Sequence, residues 1–136
     1  MSLESRSMSE GFEVVLSGDN DAPWLARRAI AGHVPPLPPP VKDDISLLVT
    51  ELVTNAIRHG GSGPDSPVRL ELQRRNGRLR IGVTDAGTEA ELAHVANGDS
   101  SGGWGLYLVE RIAESWGMKL TPSGTCVWFE VAVTHP

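Results

Sequence analysis

The apolar positions along the chain change period several times, and each change marks an element. Ile45, Leu48, Val49, Leu52, Val53 and Ala56 recur at three-and-four spacing, which predicts a helix from about Val41 to His59 with one broad apolar stripe. Asp43 and Asp44 are expected in its first turn, where carboxylates complement the helix dipole, and Gly60 closes it. Before it, Phe12 to Leu16 reads as a first strand ended by the turn-rich Ser17-Gly18-Asp19-Asn20-Asp21. Pro23 suits the first turn of a helix capped by Asp21 or Ala22. Trp24, Leu25, Ala29 and Ile30 carry that helix onward, with Arg27 and Arg28 facing out. Pro35-Pro36-Leu37-Pro38-Pro39-Pro40 is read as a stiff connector outside any helix, because proline lacks the N–H and restricts its predecessor.

Beyond Gly60, the period falls to two. Val68 to Arg74 and Leu79 to Thr84 alternate apolar and polar around Asn76-Gly77, a strong hairpin signal. Asp85-Ala86-Gly87 closes the return strand. Thr88 to Gly103 offers only Leu92 and Val95 as core residues and is expected to be a mobile loop with one short helix. A last helix is predicted from about Trp104 to Trp116, followed by strands at Met118 to Leu120 and Thr125 to Val133 around Ser123-Gly124. Trp24, Trp116 and Trp128 fall on apolar faces and are assigned to the core. The sum is an α+β protein, a two-layer α/β sandwich with helices packed on one face of a mixed, mostly antiparallel sheet. Residues 1–11 are read as a flexible tail and residues 12–136 as one domain.

Composition narrows the function. The chain has 136 residues, long enough to bury a proper core, and a hydrophobic fraction of 40%. A net charge of −5 and the lack of any basic run argue against a nucleic-acid surface. No apolar run is long enough to span a bilayer, so no membrane partner is expected. Met1 to Gly11 has no apolar h-region, hence no secretory signal is expected. The single cysteine, Cys126, forbids an internal disulfide and makes a reducing cytoplasm the natural reading. The four histidines lack metal-ligand spacing.

Four places carry candidate chemistry. Glu51 and Asn55 are one helical turn apart, beside the apolar stripe rather than opposite it. From this stretch alone they are either a solvated helix edge or two polar groups pointing into a pocket floored by the core. Asn55 offers a neutral oxygen suited to Mg²⁺, and Glu51 can accept a proton from an attacking hydroxyl. Asp85, at a strand end, can accept a hydrogen bond from an exocyclic amino group such as that of adenine, and Gly87 would let the backbone approach the base. Gly102-Gly103-Trp104-Gly105, opening the last helix, can wrap phosphates with backbone N–H groups.

Taken in order, a Glu-x-x-x-Asn helix, a hairpin ending in Asp-x-Gly, a glycine-rich loop opening a helix and Gly124-Thr125 before a strand resemble the GHKL ATPase superfamily. Its members include gyrase-type ATPases, the histidine-kinase catalytic domain and the bacterial anti-sigma serine kinases. The phrase from Glu51 to Gly60 looks most like the anti-sigma kinases, and the ending Glu114-Ser115-Trp116-Gly117 is similar to small ATP-binding regulators of high-GC Gram-positive bacteria. The resemblance covers roughly Phe12 to Val133. It implies a Bergerat-type sandwich holding ATP and Mg²⁺, with Asn55 as the metal ligand and Glu51 as the catalytic base. Asp85 becomes the adenine-reading carboxylate with Gly87 its partner glycine. Gly103 and Gly105 become phosphate-lid glycines, Leu106 follows them at the nucleotide, and Thr125 supports the adenine site.

The implied activity is Mg-ATP-dependent phosphorylation of a serine or threonine on an anti-sigma antagonist. The implied partners are that antagonist and a sigma factor, with a homodimer by analogy. Two residue patterns depart from the family. Glu89 stands where a second motif glycine is found, and no Lys or Arg occurs between Gly87 and Arg111. Phosphoryl transfer is usually met by a cation as well as metal, which leaves a non-catalytic nucleotide-binding interaction module as the alternative.

Overall fold

The computed structural model describes residues 4–8, 11–60, 63–85, 104–122 and 124–132. Six strands form one sheet: β1 (Glu4–Met8), β2 (Gly11–Gly18), β3 (Gly63–Arg75), β4 (Arg78–Asp85), β5 (Ser115–Thr121) and β6 (Gly124–Ala132). Their order is β1-β2-β3-β4-β6-β5, and all five pairings are antiparallel, in keeping with the mostly antiparallel sheet expected. Three helices, α1 (Ala22–Ala31), α2 (Pro39–Gly60) and α3 (Trp104–Ile112), complete the described α+β fold. Helix α1 packs over β2 and β3, α2 over β4 with its neighbours β3 and β6, and α3 against α2 and β5. Among the described residues, no helix is long and apolar enough to cross a membrane.

Alternation builds the core. Phe12, Val14 and Leu16 of β2, Val68, Leu70 and Leu72 of β3, and Leu79, Ile81 and Val83 of β4 face the helices and are buried. The α2 stripe read from the sequence closes over them, with Leu48, Val49 and Val53 fully buried. The β3–β4 hairpin turns on Asn76 (φ 50°) and Gly77 (φ 77°), the paired positive-φ geometry of a two-residue turn.

Several element boundaries differ from expectation, each for a local reason. Residues Glu4–Met8, read as tail, form edge strand β1, because β2 presents a free row of backbone groups from Gly11 to Val15 that they pair with. Helix α2 starts at Pro39, inside the proline run. The Lys42 N–H donates to the Pro38 carbonyl at 3.0 Å, so Pro39 and Pro40 fill first-turn positions whose N–H groups would have no partner anyway. Asp43 and Asp44 therefore fall after the first turn. Strand β3 begins at Gly63, earlier than Val68, and its segment with Pro64 and Pro67 runs past the end of β4. Prolines are tolerated there because the side toward β4 needs no donor.

The last helix ends at Ile112 rather than Trp116. The Glu114 N–H donates to the Glu130 carbonyl at 2.8 Å, and Ser115, Trp116 and Gly117 pair with Glu130, Phe129 and Trp128. Trp116 is half-buried and packed against the core from β5, whereas Trp128, also half-buried, is not a core residue: it alternates with the buried Phe129 and Val131 and lies on the other face beside Gly117 and Arg80. Trp24 is not a core residue. It is 50% exposed, because α1 buries the stripe Ala22, Ala26 and Ile30, and a residue two along from Ala22 points away. The Arg28 guanidinium sits 4.8 Å from its ring. Asp21 sits at the α1 N-cap without a side-chain capping bond; Asp19 Oδ1 instead accepts from the Asp21 N–H at 3.0 Å. The short helix expected within Thr88 to Gly103 lies outside the described residues.

Candidate functional site

Helix α2 has two flanks beside its buried stripe, and its neighbours distinguish them. Arg27 of α1 donates from Nη1 to Thr50 Oγ1 at 2.8 Å, and Thr50 Oγ1 donates onward to the Ser46 carbonyl at 2.7 Å. Arg27 was expected to face out; instead it is half-buried and ties α1 to α2, a non-local pairing that residue spacing does not reveal. The Ser46 and Thr50 flank is thus the α1 side. Glu51 and Asn55 lie round the helix from Thr50, on the flank toward α3. Both are half-buried.

Asn55 carries the clearest local signal. Its Nδ2 is buried and has no hydrogen-bond partner, alone among the described buried side-chain nitrogens and oxygens. A buried amide left unpaired costs on the order of 1–3 kcal/mol, so Asn55 is a place where a hydrogen-bond acceptor would be stabilising.

The strand ends converge on the same place. Asp85 closes β4 and is directly paired with Thr125 near the start of β6. Both have the parity of the core-facing residues Ile81, Val83 and Phe129, so a half-buried carboxylate and a buried hydroxyl stand side by side on the helix-facing side. The chain path brings α2 there, since Gly60 ends α2 and Gly63 begins β3 at the end of the sheet where β4 finishes. It brings α3 there too. Only two residues separate Ile112 from Ser115, which pairs with Glu130 at the opposite end of β6, so the N-terminus of α3 points back toward Thr125 and Asp85. Gly105 and Leu106 are in its first turn. Gly87 and Gly103 lie outside the described residues.

This corner joins a helix N-terminus, the C-terminal turns of α2 and two polar side chains at the strand ends. An α-helix N-terminus offers unpaired N–H groups and partial positive charge to anions, while the last turns of α2 offer partial negative charge to a cation. Among the described residues no cluster of three metal-ligating side chains occurs. A divalent cation would therefore rely on Asn55 together with phosphate oxygens and water, the usual way Mg²⁺ is held beside a nucleotide. Asn55 fits both tasks: its amide N–H donates to a phosphate oxygen, or a half-turn of the carboxamide presents the carbonyl oxygen to the cation.

The one resolved pKa perturbation is elsewhere on the sheet. Burial pushes the Glu130 carboxyl up, but the Ser115 hydroxyl and the Arg80 guanidinium, with Arg78 further off, outweigh it and hold the carboxyl below its ordinary value. Arg80 Nε donates to Glu130 Oε2 at 2.9 Å, and Ser115 Oγ to Glu130 Oε1 at 2.9 Å. This network lies on the helix-free face and belongs to the scaffold.

The fold is a two-layer α+β sandwich with a polar corner between α2 and the start of α3. The model of the histidine kinase-like ATPase domain family matches residues 23–131, most of the chain, and the chain belongs to that family. No curated protein matches it. The family match covers Glu51, Asn55, Asp85, Gly87, Gly103, Gly105, Leu106 and Thr125.

Proposed function

We propose that this domain binds Mg-ATP between α2 and α3 and phosphorylates a serine or threonine of a partner protein, in the manner of an anti-sigma factor kinase acting on its antagonist. The observation that carries the reading is the unpartnered, buried Asn55 nitrogen one helical turn from Glu51, in the corner that also receives Asp85 and Thr125. Asp85 accepts the adenine amino proton, which rejects guanine, and the Thr125 hydroxyl beside it supports that contact. Mg²⁺ at Asn55 would neutralise phosphate charge. Glu51 takes the proton of the partner's hydroxyl, the hydroxyl oxygen attacks the γ-phosphorus, and ADP leaves as the bond to the γ-phosphorus breaks. A sigma factor is the second partner of this reading, and the chain acts as a homodimer in a reducing cytoplasm.

The test is calorimetric titration with ATP and GTP, with and without Mg²⁺, followed by incubation with labelled ATP and proteins retained on the domain from native cell extract in Mg-ATP. ATP-selective, Mg²⁺-dependent binding and label transfer are expected. Glu51→Gln should spare binding and abolish transfer. Equal binding of ATP and GTP defeats the role given to Asp85.

A second reading has its own observation. The segment between Gly87 and Arg111 has no Lys or Arg, and Glu89 stands at the second motif glycine. A module that uses nucleotide only to set the shape of an interaction surface needs no cation for the transition state. Tight Mg-ATP binding with no transfer to any retained partner selects it.

A further inference from the structure

The α1 flank of α2 has a cavity of about 700 Å³, on the side of the helix away from Glu51 and Asn55. Its floor is apolar, made by buried Ile30 of α1 and buried Ile45 and Val49 of α2. The half-exposed Trp24 and the proline connector with Leu37 form its walls. Three cations, Arg27, Arg28 and Lys42, stand around it.

The charge at this rim is what distinguishes the cavity from a packing defect. The chain is acidic overall, at −5; on the sheet Arg69, Arg78 and Arg80 pair with carboxylates on Glu13, Glu114 and Glu130, and Arg74, Arg75 and Lys119 are exposed, whereas the rim cations gather around one apolar floor. Among the described residues, Arg27, Arg28 and Lys42 have no carboxylate partner. Arg27 bonds the Thr50 hydroxyl, and Arg28 lies over Trp24. Three cations without counter-charge around an apolar floor match a ligand that joins an apolar or aromatic body to an anionic head. The size points the same way: the cavity falls within the range of small-molecule pockets, roughly 300–1,000 Å³.

We propose that this groove is a binding site for a small amphipathic anion, an alkyl or aryl carboxylate or sulfonate, separate from the nucleotide site. The apolar body lies on Ile30, Ile45 and Val49 and against the Trp24 ring, and the anionic head meets Arg28 and Lys42. Val49 and Glu51 belong to one continuous helix, so the two sites share a wall without sharing a ligand position.

The probe is anilinonaphthalene sulfonate, titrated into the folded full chain and followed by dye fluorescence and by energy transfer from tryptophan. One dye per chain is expected, displaced by dodecanoate at a concentration about tenfold below that needed with neutral dodecanol, the effect of one charge-assisted contact. Arg28→Gln with Lys42→Gln, both at exposed side chains, should weaken dye binding about tenfold with an unchanged circular dichroism spectrum. Ala31→Trp, at an exposed position lining the groove, should block the dye by filling the space. Equal displacement by dodecanoate and dodecanol, unchanged affinity in both variants, or displacement of the dye by ATP would each overturn the proposal.

Discussion

Replacing Asn55 with leucine separates what this residue does for stability from what it does for the ligand. In the free protein Asn55 Nδ2 is buried without a partner, and such a group costs about 1–3 kcal/mol relative to one that is solvated or paired. Leucine has nearly the same shape, carries no polar atom, and sits beside the buried Leu48 and Leu52 on the same helix. Removing the orphaned amide while keeping the volume should therefore stabilise the empty domain by about 1–2 kcal/mol, the lower part of that range because Asn55 is only half-buried as a whole. For a chain of this size that corresponds to a rise of roughly 3–7 °C in the melting midpoint. Urea unfolding followed by far-ultraviolet circular dichroism gives the free-energy change. The same titration in saturating Mg-ATP reads the other side of the trade. The native chain should gain about 2.7 kcal/mol with nucleotide at a hundredfold excess over its Kd, while Asn55→Leu should gain nothing. A variant that is destabilised by more than about 1 kcal/mol, or that keeps its stabilisation by Mg-ATP, would refute the reasoning.

Other substitutions probe the neighbouring contacts. Asp85→Asn should weaken ATP binding about tenfold to a hundredfold and erase the preference over GTP, as read by calorimetry, since an ionised acceptor becomes a carboxamide that can also donate. Gly117→Ala should destabilise the fold by about 1–3 kcal/mol in urea unfolding, the usual range for overpacking. An added Cβ would stand 2.8 Å from Cζ2 of Trp128, whose ring also lies 4.0 Å from the Arg80 guanidinium carbon. Glu130→Gln should remove part of the acid sensitivity of the fold. The Glu130 carboxyl is held below its ordinary value when folded, so its contribution is complete above the unfolded pKa of about 4.3 and fades as pH falls through the lower folded value. Urea midpoints measured at neutral pH and at pH values below that unfolded pKa should converge more for the variant than for the native chain.

What the sequence shows of the fold is what local pattern can encode. The α2 stripe, the Asn76-Gly77 turn and the alternation in β3 and β4 depend on side chains within a few residues of each other, and all three stand as read. The misplaced features depend on distant partners. Trp116 continues an apolar helical spacing, yet Ser115 to Gly117 meet Glu130 to Trp128 across a sheet, and that pairing ends the helix. Trp24 looks apolar-faced on a wheel, but the small Ala22 and Ala26 decide which side of α1 approaches the sheet. Pro39 and Pro40 look like helix breakers until their positions within the first turn are known. The candidate site divides in the same way. Glu51 and Asn55 were legible as a pair because helical spacing is local. The adjacency of Asp85 and Thr125 depends on β4 pairing with β6 across forty residues of chain, and only an ordered family motif brought Thr125 into view.

The two faces of α2 explain why this helix tolerates so much polarity beside its core. Helix α2 turns Lys42, Asp43, Leu47 and Arg58 to solvent, while the residues bordering its buried stripe lie toward the neighbouring helices. On the α1 side Thr50 is satisfied twice, by Arg27 and by the Ser46 carbonyl. On the α3 side Asn55 is left one bond short. That asymmetry is difficult to attribute to packing economy, because a leucine or alanine at position 55 would remove the penalty without disturbing the stripe. A ligand that completes this hydrogen bonding is what the proposed function supplies, and the Asn55→Leu comparison tests it. Glu51, one turn earlier on the same flank, has no comparable structural debt, so its role rests on chemistry alone. The fate of Glu51→Gln, measured as binding and transfer together, is therefore the experiment that separates a kinase from a nucleotide-gated interaction module.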